Sequence, residues 1–115
     1  MCYNLRVWEV RYHPTAEKEY RQLPTKERFA VENAIEKLRL FGPKLPYPHQ
    51  SNVKGAQNLR ELRPRAGRSP LRAFYRRIDD VFVIGAIGPE AQVDNRKFNR
   101  AVEAAQKRLE AARAD

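Results

Sequence analysis

Apolar and polar residues alternate strictly near the start of the chain. Between positions 6 and 12, Trp8, Val10 and Tyr12 fall on one side of an extended backbone. An alternation with a period of two is typical of a strand that buries one face. We therefore predict a half-buried strand here, ended by the sequence His-Pro-Thr at positions 13 to 15.

Two helices in a hairpin are predicted next. Thr15 is expected to cap the first, which ends at the sequence Leu-Pro-Thr at positions 23 to 25. The second helix carries an apolar stripe with glutamate and lysine residues opposite, and Gly42 with Pro43 stops it. The expected inner face of the second helix is Val31, Ala34, Ile35, Leu38 and Phe41.

A loop rich in proline separates these helices from three further strands. Residues 43–56 hold three prolines and a glycine, which predicts an ordered but irregular segment. Strands are expected over 58–65, 70–78 and 81–87, because apolar residues recur there between short polar linkers that are typical of hairpins. Asp94 or Asn95 can cap a last helix, whose expected inner face is Phe98, Ala101, Val102, Ala105, Leu109 and Ala112.

The predicted element order is β-α-α-β-β-β-α, without an internal repeat or a low-complexity segment. This order indicates a single α+β domain over residues 1–115. The helical hairpin and the C-terminal helix are expected to pack on a small, largely antiparallel sheet.

The bulk composition excludes several classes of protein. Apolar residues make up 42% of the chain and charged residues 32%, which is ordinary for a globular domain. No apolar run approaches the roughly 20 residues that span a bilayer, so we expect no membrane partner. Cys2 is the only cysteine, which excludes an intrachain disulfide and fits a reducing cytoplasm. The dispersed acids argue against a metal-dependent nuclease. The sequence has neither metal-ligand spacing nor a phosphate-binding glycine loop, so neither a metal nor a small-molecule cofactor is expected.

Positive charge is concentrated in one segment. Eight basic residues stand between Lys54 and Arg77 against one acid, Glu61, so the segment carries +7 of the formal net charge of +9. Seven of the eight cations are arginine, whose planar donors match phosphate oxygens and stack on bases. The cations alternate with apolar residues on predicted strands. A rigid surface lined with arginine therefore indicates a polyanionic partner, first of all RNA.

The segment from Asn58 to Ile87 resembles the core hairpins of the RelE/ParE toxin superfamily, especially its phage-derived HigB-like branch. The similarity lies in Glu61-Leu62-Arg63, a short glycine loop, the run from Leu71 to Tyr75 and an apolar third strand. The helices before and after this segment match as well, so the resemblance covers nearly the whole chain.

This resemblance implies a bacterial toxin that enters the ribosomal A site and cuts messenger RNA. It also implies a cognate antitoxin partner with a helix-turn-helix DNA-binding domain. Members of the family cleave without a metal, by attack of the ribose 2′-hydroxyl on the adjacent phosphate. The protein must then orient the 2′-oxygen and offset the charge that builds on the phosphate.

Arg63 and Arg72 are the candidate phosphate clamp. Arg72 matches the arginine that family members use to contact the scissile phosphate, and Arg63 matches a basic position on the neighbouring strand. Both can lie on one face of an antiparallel pair, although a solvated sheet face would show the same alternation. Glu61 is either a general base or a structural partner of the arginines. The structural role is favoured, because nearby cations lower the pKa of a carboxyl group.

Other cations are expected to steer the RNA backbone. Lys54, Arg65 and Arg68 lie in loops that flank the proposed face. Arg76 and Arg77 are successive strand residues that point to opposite faces, so at most one of them joins the clamp. Phe74 shares the parity of Arg72 and is either a base-stacking ring or part of the core.

The segment 88–98 departs from the HigB-like pattern. That branch has an aromatic residue and paired lysines after the third strand, whereas Pro89 and Glu90 stand here and no tyrosine follows. Arg96 and Lys97, with Arg100, can supply positive charge from the first turns of the last helix. Cations there oppose the helix dipole, which indicates either a binding role or a solvated face.

Three functions remain open on the sequence. The first is a ribosome-dependent mRNA endoribonuclease toxin. The second is a non-catalytic inhibitor of DNA gyrase, like the ParE branch. The third is a degenerate member that only binds its antitoxin and co-represses an operon. His49, in the loop rich in proline, is a further candidate acid or base, and the same position suits an inert residue.

Overall fold

The computed structural model describes the backbone of residues 7–114 and the side chains of residues 7–111. Cys2 lies outside these residues, and so does Arg6, at which the first predicted strand begins. The helices and strands, in chain order, are β1 Glu9–Tyr12, α1 Pro14–Arg21, α2 Thr25–Phe41, β2 Gln50–Asn52, β3 Arg60–Leu62, β4 Leu71–Ile78, β5 Val81–Pro89 and α3 Asn95–Ala114.

The strands form one mixed sheet in the order β1-β5-β4-β3-β2. β1 runs parallel to β5, and the other neighbours are antiparallel. The predicted α+β architecture is confirmed, with β2 as an additional edge strand. The sequence did not indicate β2, because Gln50–Asn52 is wholly polar and shows no alternation. Its pairing with β3 holds the loop rich in proline against the sheet.

Each face of the sheet has its own core. Leu62, Ala73 and Tyr75 pack with Ala34 and Leu38 of α2 on one face. On the other face, Ala105 and Leu109 of α3 pack on Leu59, Phe74 and Ala86. The parity of β4 therefore directs Arg72, Phe74 and Arg76 toward the α3 side.

A bulge in β5 allows α3 to approach the sheet closely. Phe74 pairs with Ala86 and Tyr75 with Ile84, so Gly85 is the extra residue. A Cβ atom on Gly85 would lie 2.9 Å from the Leu109 side chain, which explains why a glycine stands at the bulge. Arg108 of α3 donates to the Gly85 carbonyl at 2.9 Å and to the Glu19 carboxylate at 3.2 Å, which ties α3 to α1.

The helix ends differ from the predictions in two details. His13, rather than Thr15, caps α1, because Pro14 occupies the first helical position and the Thr15 amide donates to His13 Nδ1 at 3.1 Å. Phe41 is 54% exposed, since α2 ends there and Gly42 turns the chain away. The predicted Asp94 cap is confirmed by the Lys97 amide, which donates to Asp94 Oδ1 at 3.0 Å. Among the described residues, no helix is long and apolar enough to cross a membrane.

The His13 cap makes stability depend on pH. Burial lowers the pKa of His13 from its ordinary value, and Arg108 lowers it further. The folded state therefore binds fewer protons than the unfolded state, and stability falls as the pH drops below about 6.5. We expect His13→Asn, which retains a capping side chain, to lose less stability than the wild type between about pH 7.5 and 5.5. Urea denaturation at both pH values measures this, and equal losses would contradict the assignment.

Candidate functional site

An open cleft of about 860 Å³ lies on the α3 side of the sheet, beside β3. Residues from five separate segments line it, and they include charged, polar and aromatic side chains. The main contributors are Tyr47, Ser51, Lys54, Glu61, Arg63, Gly67, Arg72, Glu90 and Phe98. The cleft thus brings together all three residues that the sequence indicated as catalytic.

Arg72 is the most enclosed of these side chains, at 3% exposure. Its Nη1 donates to the carbonyls of Ser69 and Leu71, both at 2.8 Å. Its Nη2 donates to Glu90 Oε2 at 2.6 Å, and its Nε lies 3.9 Å from Glu61 Oε1. Burial lowers the pKa of Arg72 and the neighbouring Arg63 adds to this effect, while the two carboxylates oppose it. Backbone carbonyls and carboxylates of the protein therefore fix the Arg72 guanidinium in place.

Glu61 organises the second arginine. Its Oε1 accepts from the Ser51 hydroxyl at 2.9 Å and from Arg63 Nη1 at 3.1 Å. The side chain is only 12% exposed. Through these contacts the Glu61 carboxylate orients the Arg63 side chain in the cleft.

Arg63 lies one position beyond the last pair of the β3–β4 ladder, Leu62 with Ala73. Its guanidinium carbon is 5.3 Å from the centre of the Tyr47 ring, within the range of a cation–π contact. On another side it contacts Gly67, where a Cβ atom would lie 2.7 Å from Nη2. Gly67 also has a φ of +94°, so only glycine suits this position without strain. Arg63 retains 20% exposure, which leaves it accessible from the cleft.

The segment 88–98 supplies an acid and an aromatic ring to the cleft. Glu90 is the ion-pair partner of Arg72, a role that the sequence analysis missed. Phe98 lies at the cleft with its ring 5.4 Å from that of Phe74, in an edge-on arrangement. Phe74 itself is fully buried, so it belongs to the core and offers no face to a base. Tyr47, in the loop before β2, also lines the cleft and is 70% exposed, whereas no tyrosine stands in segment 88–98.

The steering cations separate into different places. Lys54 lines the cleft and is exposed. Arg65 instead pairs with Glu27 of α2 at 3.6 Å, and Arg68 is exposed near it. Arg76 is 5% exposed and donates to the carbonyls of Asn58 and Gln57, so it anchors the loop before β3. Arg96 and Lys97 are exposed on the first turn of α3.

The charge of the cleft is closer to balance than the sequence indicated. Three cations, Lys54, Arg63 and Arg72, face two carboxylates, Glu61 and Glu90. The Arg63 guanidinium can bind phosphate oxygens, and the Tyr47 and Phe98 rings can stack on bases. Within the described part of the chain, no group of three or more histidine, cysteine, aspartate or glutamate side chains is placed to hold a metal ion.

The fold is that of the RelE-like toxins. A free-state mutant of the Escherichia coli toxin RelE superposes with a TM-score of 0.61 at 19% identity, over 84% of this chain and 96% of that one. The E. coli RelBE toxin–antitoxin complex gives 0.57 at 20% identity, over 72% and 96%. The RelE–RelB complex of the archaeon Pyrococcus horikoshii gives 0.52 at 21% identity, over 72% and 94%.

The sequence defines the family more closely. Residues 18–85 match the family described as "Phage derived protein Gp49-like (DUF891)". The matched segment spans more than half of the chain, from α1 into β5, and includes Glu61, Arg63 and Arg72. The chain belongs to this phage-derived Gp49-like family. No curated protein matches the sequence.

Proposed function

We propose that the protein is the toxin of a type II toxin–antitoxin system and cuts messenger RNA on the ribosome, in the cytoplasm. The observation that carries this proposal is Arg63, an accessible guanidinium fixed between Tyr47 and Gly67 in a cleft large enough for nucleotides. The RelE-like fold supports the same class of function, since the structures that it matches are toxins. The proposed partners are the ribosome, mRNA and a helix-turn-helix antitoxin.

The reaction is an internal transfer of the phosphate. The 2′-oxygen attacks the adjacent phosphorus and gives up its proton to water, the bond from phosphorus to the 5′-oxygen breaks, and water returns a proton to the departing 5′-oxygen. The products are a 2′,3′-cyclic phosphate and a 5′-hydroxyl end, so no co-reactant is needed. Arg63 binds the non-bridging oxygens, on which negative charge grows. Glu61 positions Arg63, and Arg72 fixes the floor of the cleft.

The remaining cleft residues bind the flanking nucleotides. Tyr47 and Phe98 are the proposed stacking rings, and Lys54 contacts a phosphate next to the scissile one. Arg96 and Lys97 lie within one helical turn of Phe98, and they extend the positive surface along α3. Arg68 is exposed and suits long-range attraction, whereas Arg65 and Arg76 act on the fold through the contacts described above.

Expression in growing bacteria, followed by mapping of mRNA 5′ ends, tests the proposal. We expect new 5′ ends inside translated codons with the wild type, and none with Arg63→Ala. Arg60→Ala is the matched control, since Arg60 is exposed at the start of β3 and does not line the cleft. Growth arrest with intact messages and relaxed plasmid DNA would instead indicate a gyrase inhibitor and exclude the RNase.

A second function is favoured by the state of Arg72. Its Nη donors are directed to Ser69, Leu71, Glu90 and Gly67, and its Nε faces Glu61 at 3.9 Å, so none is directed to a free phosphate position. A degenerate toxin that only binds its antitoxin and co-represses an operon would tolerate such a cleft. Antitoxin binding without growth arrest, without message cleavage and without relaxed plasmid DNA would support this alternative.

Removal of the Glu90 charge should strengthen RNA binding. Glu90 is 26% exposed in the cleft and repels phosphate while it neutralises Arg72. We expect Glu90→Gln to bind a single-stranded RNA of about 12 nucleotides roughly three- to tenfold more tightly at low salt, because a charge–charge term of about 1 kcal/mol is removed. Glu103→Gln, at an exposed position of α3, is the control for net charge. Fluorescence anisotropy measures both, and equal affinities would show that Glu90 does not oppose RNA.

A further inference from the structure

A second cavity, of about 350 Å³, lies against α2 at the end of β3. One wall is a single face of α2, formed by Lys26, Phe29, Ala30, Asn33, Ala34 and Lys37. The opposite wall comes from the loop before β2 and from the segment after β3, with His49, Leu62, Arg63 and Arg65. We call this cavity the α2 groove.

The α2 groove has an apolar floor and a cationic rim. Ala30, Ala34 and Leu62 are buried in the floor, while the Phe29 ring beside them is 59% exposed. Lys26 and Lys37 stand at the two ends of the helical wall, and both are exposed. Among the described side chains that line the groove there is no aspartate or glutamate. Glu27 and Glu61, just outside it, pair with the rim residues Arg65 and Arg63.

The dimensions suit a short helix. Lys26 and Lys37 are eleven residues apart on α2, which corresponds to about 16 Å or three turns. A partner helix of the same length would bury its apolar side on the exposed Phe29 ring, along the aliphatic floor of the groove. Its acidic residues would then face the lysines at the two ends. An amphipathic helix in an apolar groove is a recurring mode of recognition, with anchors at helical spacing.

We propose that the α2 groove binds an acidic amphipathic helix of the antitoxin. The inference rests on the proposed function, because that function supplies the partner. Charge complementarity selects the occupant: a second copy of this chain has a net charge of +9 and would be repelled. Single-stranded RNA suits the groove poorly, since Phe29 is its one exposed ring among the described lining residues and the rest of the floor is aliphatic.

The position of the groove links this partner to the cleft. Arg63 lines both cavities, because it lies at the end of β3 between them. An acidic residue of the bound helix can therefore compete with Glu61 for Arg63. The antitoxin would withdraw the proposed phosphate-binding cation without filling the cleft itself.

Calorimetry on the purified full-length chain and its cognate antitoxin, the proposed helix-turn-helix partner, tests the proposal. We expect the double variant Lys26→Glu, Lys37→Glu to bind at least about tenfold more weakly than the wild type. The control Lys18→Glu, Lys107→Glu changes the net charge equally at exposed sites on α1 and α3 and should stay within about twofold. All four lysines are exposed, and thermal melts verify that both variants fold.

Each outcome is decisive. Equal binding by the two double variants overturns the groove, even if the protein cleaves mRNA. Failure of the wild type to bind removes the partner and the groove proposal with it. If the wild type cuts no mRNA in cells but the charge reversal still weakens antitoxin binding, the RNase proposal is wrong and the groove proposal is supported. If the Lys26 and Lys37 variant weakens binding of a 12-nucleotide RNA but not of the antitoxin, the groove belongs to RNA.

Discussion

Arg72→Met should lower the free energy of unfolding by about 3 to 5 kcal/mol, a large part of the stability of a domain of this size. Methionine has nearly the length of arginine but donates no hydrogen bond. The substitution would leave Glu90 without its partner at 2.6 Å, and the carbonyls of Ser69 and Leu71 without their donor. Because Arg72 is only 3% exposed, little water could replace it. Urea denaturation followed by circular dichroism measures the loss.

A double-mutant cycle separates the ion pair from the carbonyl contacts. We expect Glu90→Gln to destabilise the wild type but to cost less, or to stabilise, in the R72M background, because it then removes an unpaired carboxylate. Arg60→Met is the control at an exposed position of β3 and should change stability by about 0.5 kcal/mol or less. Should R72M not fold at all, Arg72→Lys keeps the charge and should show an intermediate loss. A stability of R72M equal to that of the wild type would refute the structural role of Arg72.

The burial of Arg72 changes how mutations of the cleft are interpreted. A loss of activity in an Arg72 variant would combine the loss of a cation with partial unfolding. Arg63 does not have this difficulty, because its side chain is partly exposed. Among the described residues it forms one ion pair, with Glu61. Functional tests therefore belong at Arg63.

The sequence predicted the sheet well wherever a face is buried. β4 and β5 alternate or are apolar throughout, so their type and approximate bounds followed from the pattern alone. β2 did not, because an edge strand of Gln50–Asn52 needs no apolar face and depends on its pairing with β3. Pro64 and Arg65, predicted as the end of a strand, instead begin a 3-10 turn over Pro64–Gly67, in which Arg65 and Ala66 adopt positive φ angles.

The sequence did not predict the Arg72–Glu90 pair, because one extra residue in β5 changes the pairing of β4 with β5. A regular hairpin closed by Asp79 and Asp80 would pair Arg72 with Ile87, which directs Glu90 away from it. The bulge at Gly85 shifts the register so that Gly88 lies opposite Arg72. Nothing in the local pattern located the bulge, since its cause is the packing of α3 on Gly85. The segment that lacks the paired lysines of the HigB-like branch thus supplies a negative charge to the site.

The number of basic residues in the segment 54–77 also overestimated the positive charge of the cleft. Of the eight cations from Lys54 to Arg77, only Lys54, Arg63 and Arg72 line the cleft. Arg76 shares a strand face with Arg72, yet its donors are taken by the loop before β3. Strand parity predicts a direction but not a partner. Backbone carbonyls, which carry no signature in the sequence, satisfy much of this arginine-rich segment.

Arg63→Ala should reduce the rate of message cleavage on programmed ribosomes by about 100- to 1,000-fold, the effect of removing one positioned donor from a developing anion. The guanidinium is preorganised by Tyr47 at 5.3 Å and by Glu61 at 3.1 Å, so its loss is not offset by a mobile neighbour. RNA affinity should change less, with the slope of log affinity against log salt falling by about 0.7 for one lost phosphate contact. Single-turnover cleavage and anisotropy at about 50 and 200 mM salt measure the two effects.

The relation between the two measurements identifies the role of Arg63. A residue that only steers RNA would weaken binding and leave the rate at saturating ribosome complex unchanged, whereas a residue that stabilises the transition state lowers that rate. Arg63→Lys retains the charge without the planar fork and should recover binding more than rate. Arg60→Ala should match the wild type in both, since Arg60 donates to Gln50 outside the cleft. A folded Arg63→Ala variant that cleaves at the wild-type rate would remove Arg63 from the reaction.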